Sequence, residues 1–257
     1  MFYGSIVSDK MKSISGVQPI YNKTTEQEKT AIDAFGTRAR FFGGAIVNTL
    51  TDLLIMFGKS SNTQAVYGNG NMSGYDAGLS PTMGVKQNAV IGGGQFYGTS
   101  DGKSLNKILH SIVLGSWQQW MRDPYTLLVN GRFKVSKDYS YDLTGATYED
   151  TGITLPKIMT EDEEPTQKTE PFYPHKYQTV PGFGALPVYP YNGSTSTGGC
   201  DGFWQNVDVT AVARRFGNCD TGPIDGLRCL HAAGSAAHAT WYIGVAILLL
   251  PPVGVAA

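Results

Sequence analysis

Residues 213–250 read ARRFGNCDTGPIDGLRCLHAAGSAAHATWYIGVAILLL. Two kinds of position alternate in this stretch. Arg214, Arg215, Phe216, Gly217, Gly226, Leu227, Leu230, Trp241, Ile243 and Gly244 are residues suited to hold a scaffold. Between them stand Cys219, Thr221, Pro223, Ile224, Cys229, His231, His238, Thr240 and Tyr242, which share no chemistry, with alanines separating several. Neither the helical period nor the two-residue strand period organises this second set. Anchors that pack, with chemically mixed spacers between them, predict a binding surface carried on a rigid frame, where recognition loops usually sit.

A compositional bias points the same way. Lys, Glu, Gln and Met together number 37, and all lie at or before Gln205. An even spread would put about seven in the remaining residues, taking composition as the prior. These four types, with Trp, are the ones unreachable when an Asn codon of the form AAY changes only at its two adenines. The competing explanation is that a buried Gly/Ala-rich terminal region excludes long polar side chains anyway.

The rest of the composition bounds the answer. A chain of 257 residues with 41% hydrophobic and 11% aromatic content is long enough to bury a core. Charged content of 16% is low and 32 glycines is high, which predicts many turns, short strands and an aromatic core. A net charge of −1 argues against nucleic acid as a partner, since phosphate contacts need a basic face. Three cysteines (Cys200, Cys219, Cys229) cannot all pair, which points to a reducing assembly compartment. The start, MFYGSIVSDKMKSIS, has no secretory pattern. The apolar run 243–255, broken by Pro251 and Pro252, is shorter than a membrane span and reads as a buried terminal strand with a tail. No membrane insertion is expected.

Along the chain, residues 1–30 are polar and short of core material, and form a candidate N-terminal attachment segment. Thr25 and Glu28 have capping-box spacing, predicting a helix from near Glu26. Ala45, Ile46, Leu50, Leu53, Leu54 and Phe57 recur at mostly three- and four-residue intervals, predicting a helix over 44–58 ended by Gly58. Residues 59–103 read as ordered loops with short strands. LLVNGRFKVS (127–136) predicts a hairpin turning at Asn130-Gly131. Residues 160–182, acidic and Pro-rich, predict an exposed loop. The pattern is α+β, with residues 31–257 forming one domain.

ARRFG, DGL and HATWYIG together resemble the variable repeat of the variable proteins of diversity-generating retroelements. GSWQQWMRD (115–123) is similar to the Trp-bearing element of the wider fold family, with Gly115, Trp117 and Trp120 as landmarks. YDLTGATYEDTGITLP (141–156) and CDGFWQN (200–206) are similar to stretches of phage tail proteins. The resemblance covers roughly residues 40–250. It implies a C-type-lectin-like fold, with a helix packed on small antiparallel sheets and a variable region over about 211–247. Adenine-directed mutagenesis of Asn codons would diversify that region. The implied setting is a virion tail, assembled in the bacterial cytoplasm, with the bacterial cell surface as the alternative. The implied partners are a host cell-surface protein or glycan, and other tail proteins or copies of the chain. The expected ligand-binding patch is Cys219, Asp220, Thr221, Pro223, Ile224, Cys229, His231, Gly234, Ser235, His238, Thr240 and Tyr242, with Trp241 and Ile243 buried behind it.

Other chemistries find less in the sequence. Formylglycine-generating enzymes share the implied fold, and resemblance to them would imply copper-dependent oxidation at a cysteine pair. Cys219 and Cys229, however, fall among the mixed spacers, and a reactive thiolate needs a tuned site. A non-variable structural virion protein is a further alternative. His110, His175, His231 and His238 form no metal motif. Calcium lectins carry a Glu-Pro-Asn or Gln-Pro-Asp loop with a Trp-Asn-Asp strand, and the nearest match is Glu164-Pro165-Thr166 alone. The glycines at 68–71 and 92–94 lack P-loop spacing, and the four tryptophans read as core. The chain is expected to be a binder without cofactor or metal and not an enzyme.

Overall fold

The computed structural model describes residues 20–67, 119–158, 171–218 and 221–251, with the backbone of short strands at 2–3, 5–7, 10–12, 96–97, 107–108 and 111–112. The glycine stretches 68–71 and 92–94, His110, Trp117 and residues 164–166 lie outside the described residues.

The longest strand, Trp120–Val129, is the axis of a seven-stranded sheet. Its residues 120–128 are all buried, so it has no solvent face, and its polar members Arg122, Asp123 and Thr126 must find partners inside. The strand turns back at Asn130-Gly131, both with positive φ (48° and 74°), into Arg132–Val135. Two left-handed residues match the twist of the flanking strands, as the Asn-Gly pair predicts. Glu149–Thr154 pairs outside that return strand. On the other edge lies Ala211–Arg215, antiparallel, then Leu230–Ala232, then Phe203–Gln205 in parallel. Ile243–Gly244 runs parallel to the start of the long strand. A second sheet sandwiches Ala246–Leu249 between Phe2–Tyr3 and Ala39–Phe41. The apolar run at the end of the chain is therefore strand as far as Leu249, with Ala246 and Ile247 buried.

Helix α1 is Thr25–Asp33 and helix α2 is Gly44–Gly58, as the 44–58 periodicity predicts. Lys59 takes the left-handed C-cap conformation beyond Gly58. At the other end of α2 the N-cap is Gly43, which has no side chain to offer. Asp123 of the long strand substitutes, its Oδ1 accepting from Gly44 N at 2.8 Å. A Cβ at residue 43 would collide with that carboxylate, so the cap selects glycine. Val47 and Leu54 of α2 pack against Met121, Phe216, Leu227 and Ala246. The architecture is α+β and mostly sheet. Among the described residues, no helix is long and apolar enough to cross a membrane.

Three sequence expectations are corrected. The capping box uses Thr24 and Gln27, one residue earlier than Thr25 and Glu28, because Glu28 is drawn inward to Arg122. Within residues 1–30, read as short of core material, Ile20 is buried with Phe41, Tyr125 and Ile247, and Thr25 and Glu28 are buried as well. Within 160–182, the part from 176 is not a loop. Lys176–Val180 and Gly184–Val188 form a hairpin that buries Val180, Phe183 and Leu186. Residues 160–170 lie outside the described residues.

Candidate functional site

Two buried arginines, Arg122 and Arg214, form the floor beneath residues 232–242, and a third, Arg215, follows Arg214 on its strand. Arg122 Nε donates to Glu28 Oε2 at 2.5 Å, with both side chains fully buried. Arg215 donates to Asp123 Oδ2 at 2.9 Å and to Thr126 Oγ1 at 3.0 Å. Arg214 contacts His238 Nδ1 at 2.8 Å through Nη2, and its Nε has no hydrogen-bond partner among the described residues. Burial opposes ionisation here. It pushes Glu28 up to about 7, although Arg122 pulls it down, and lowers Arg214 to about 10.

Residues 232–242 lie over this floor, and the surrounding frame holds them by their main chain. Asn206 N donates to Ala232 O, Val212 N to Gly234 O, Thr25 N to Ala236 O, Asn22 N to Thr240 O and Trp120 N to Tyr242 O, at 2.7–3.0 Å. Side chains reinforce these bonds: Thr25 Oγ1 also reaches Ala236 O, Arg122 Nη2 reaches His238 O and Gln119 Nε2 reaches Trp241 O. Every second carbonyl from 232 to 242 is thus taken by a donor outside the segment. None of these bonds depends on which side chain the segment carries.

The expected patch divides. Ser235 is exposed, and Thr221, Ile224, His231, His238, Thr240 and Tyr242 are half-buried. His231, His238 and Tyr242 are brought together around Arg214. His231 pairs with Arg214 across the strands, and the Tyr242 ring lies edge-on to His238 with centroids 6.3 Å apart. Thr240 Oγ1 accepts from Tyr242 N. Thr221 is bonded to Asn218, and the Ile224 carbonyl accepts from Gly202 N. Cys219 and Asp220 lie outside the described residues, as does the side chain of Pro223 on the one-turn helix Gly222–Ile224.

Two members do not belong to an exposed patch. Cys229 is 0% exposed, packed with Trp120 and Ile243, because its place follows a turn that feeds directly into the inner strand Leu230–Ala232. Gly234 is buried, and a Cβ there would displace the Arg214 guanidinium. Ile243 is fully buried as expected, but Trp241 is only half-buried. Trp241 and Tyr242 occupy a turn before the strand, where in-out alternation does not apply, and their rings meet edge-on at 5.4 Å.

Sequence reasoning assigned Trp204 to the core. Its half-buried ring stacks on His231 (5.8 Å, 24°), meets Trp120 edge-on and covers Gly202 beside the Ile224 carbonyl, so it links the two parts of the patch. The parts played by Asn22 and Arg122, and by Thr25 beyond the capping box, are not legible in the sequence, since contacts across some 100 to 200 residues leave no local pattern.

Chemically the site offers hydrogen-bonding rings, apolar area and a buried cation. Burial, followed by the charges of Arg214 and His238, lowers His231 to about 3, so it is a neutral ring. Burial pushes the Cys229 thiol well above its ordinary value, with Asp225 adding to the effect, which is opposite to the tuning a nucleophilic thiolate needs. Among the described residues no group of three or more His, Cys, Asp or Glu is placed to hold a metal ion. Compared with known proteins, the chain matches no family model and no curated relative.

Proposed function

We propose that this chain is a hypervariable ligand-binding protein with a C-type-lectin-like fold, diversified by a retroelement and displayed as a receptor-binding protein on a phage tail. The observation that carries the reading is the main-chain grip on residues 232–242. A segment held through alternate carbonyls keeps its path while its side chains change, which is what a diversified surface requires. The burial pattern supports it: Arg214, Arg215, Phe216, Leu227, Leu230 and Ile243 are buried, while the mixed residues around His238 and Tyr242 are partly open. The absence of Lys, Glu, Gln and Met after Gln205 supports adenine-directed change as the source of the mixture. Host-surface protein or glycan is the proposed ligand, and other tail proteins or further copies of the chain the proposed assembly partners.

The test is the coding DNA. A near-copy of the 3′ segment beside a reverse-transcriptase gene is expected, with AAY at the codons for Thr221, Ile224, His231, Ser235, His238, Thr240 and Tyr242. Codons that differ from such a copy at bases other than adenine, or no copy at all, would remove diversification and leave a fixed binding surface.

A further inference from the structure

Building on that reading, we propose that the surface formed by His231, Ser235, His238 and Tyr242 takes a ligand carboxylate, with Arg214 as its counter-charge. Three guanidinium groups, Arg122, Arg214 and Arg215, are buried in one region. Asp123 pairs with Arg215, and Glu28 pairs with Arg122. Arg214 forms no ion pair with any described residue; Glu28, already bonded to Arg122, is the acid that acts on it at longer range. Arg214 is 1% exposed, yet among the described residues Nε has no hydrogen-bond partner and Nη2 bonds to the His238 ring alone. An unpaired buried cation is costly, and an incoming anion relieves that cost.

The cover over Arg214 is thin and replaceable. Gly234 leaves room for the guanidinium where any side chain would displace it. His238 is half-buried and stands between exposed Ala237 and half-buried Ala239; its carbonyl is held by Arg122 and its ring by Arg214 Nη2. Displacing the imidazole exchanges its contact with Arg214 for that of the ligand, while the bond from Arg122 to the His238 carbonyl keeps the backbone in place. A carboxylate in its place accepts from Nη2 and from the orphaned Nε, the paired geometry that guanidinium favours. His231, Tyr242 and the Trp204 ring behind them supply flat area for the rest of the ligand. The charged and titratable groups around the site are Arg122, Glu28, Arg214, His231, His238 and Tyr242.

The test compares thermal unfolding of the wild-type chain and His238→Ala in sodium acetate, sodium glucuronate and N-acetylaspartate amide. Sodium chloride at equal ionic strength and glucose are the controls. A ligand at tenfold its dissociation constant raises Tm by roughly 3–5 °C in a chain of this size. Carboxylates are expected to give a saturable rise that chloride and glucose do not, larger in His238→Ala, where the ring no longer competes. A greater effect of glucuronate points to an acidic sugar as the source, and of N-acetylaspartate amide to an acidic peptide. In the wild type, the His238 ring proton resonances are expected to move with acetate while those of exposed His175 stay. No carboxylate-specific change in Tm or in the His238 resonances overturns the assignment. If Tyr242→Ala abolishes capture by host cells while carboxylates do nothing, the display surface stands and the anion site falls. If carboxylates act and no host surface is bound, the anion site stands and the display reading falls.

Discussion

Arg122 Nε meets Glu28 Oε2 at 2.5 Å, tying the long strand to α1 across 94 residues with neither side chain exposed to water. The same guanidinium holds Lys23 O at 2.9 Å and His238 O at 3.0 Å. Removing one partner of a buried pair leaves the other charge stranded, at a cost of about 3–5 kcal/mol. Glu28→Ala is therefore expected to lose that much stability in urea unfolding. It should also raise amide exchange at residues 22–28, whose bonds to Ala236 and Thr240 lean on α1. A loss below about 0.5 kcal/mol, within the range of surface substitutions, would show the pair to be dispensable.

Cys229→Ser tests the placement of the thiol. From the sequence alone, Cys219 and Cys229 both belong to the expected ligand-binding patch. Cys229 instead lies against Trp120 and Ile243, with its Sγ 3.9 Å from Asp225 Oδ1. Exchanging sulfur for a hydroxyl puts a stronger polar group in an apolar setting, costing about 1–3 kcal/mol. Cys229→Ser should thus lower the urea midpoint more than Ser235→Ala does. Equal midpoints would put the thiol back at the surface.

What the sequence discloses follows the range of the interactions involved. The 44–58 helix and the Asn130-Gly131 turn are set by neighbours within a few residues, and both stand where periodicity and turn chemistry put them. The helix near residue 26 is also legible, but TTEQE offers two capping frames, and only Arg122, far along the chain, decides that Glu28 turns inward. The candidate site mixes both cases. Arg214, Phe216 and Ile243 are recognisable as anchors from their type. Cys229 and Gly234 are not separable from true surface positions, because chemical heterogeneity says nothing about which way a residue faces. Trp204 joins His231 only through the parallel pairing of Phe203–Gln205 with Leu230–Ala232, a register that no local pattern announces.

His231 gives the surface a measurable pH signature. In the folded chain, burial and then the charges of Arg214 and His238 lower it from 6.5 to about 3. The unfolded chain takes up a proton below 6.5 that the folded chain refuses. The neutral ring thus contributes stability above 6.5 that is lost as pH falls towards 3. Glu28 and Asp201, both pushed up to about 7 by burial, act in the opposite sense: their contribution is present at low pH and lost as pH rises. A variant comparison cancels those two. The stability of wild type relative to His231→Phe should fall by about 2 kcal/mol between pH 6.5 and 4.5, measured by urea unfolding. A difference that stays flat with pH would mean that the ring titrates normally.

Tyr242 is the residue on which recognition should weigh most. Its half-buried ring meets Trp241 and His238 edge-on, while its carbonyl is fixed by Trp120 N at 2.7 Å. A ring with few rotatable bonds, held at its backbone, loses little entropy on contact, as in antibody paratopes. Tyr242→Ala should weaken ligand capture by about 2 kcal/mol, a drop of roughly thirtyfold in affinity. Ser235→Asn and Ala237→Asp, at exposed positions between gripped carbonyls, should change folding stability by no more than about 0.5 kcal/mol while altering which ligand is bound. Gly234→Ala, one residue before Ser235, should destabilise the chain, because its Cβ would displace the Arg214 guanidinium. Binding by surface-displayed chains and urea midpoints for the four variants check this. Ser235 and Ala237 variants as unstable as Gly234→Ala would show that side chains, and not the main-chain grip, hold the segment in place.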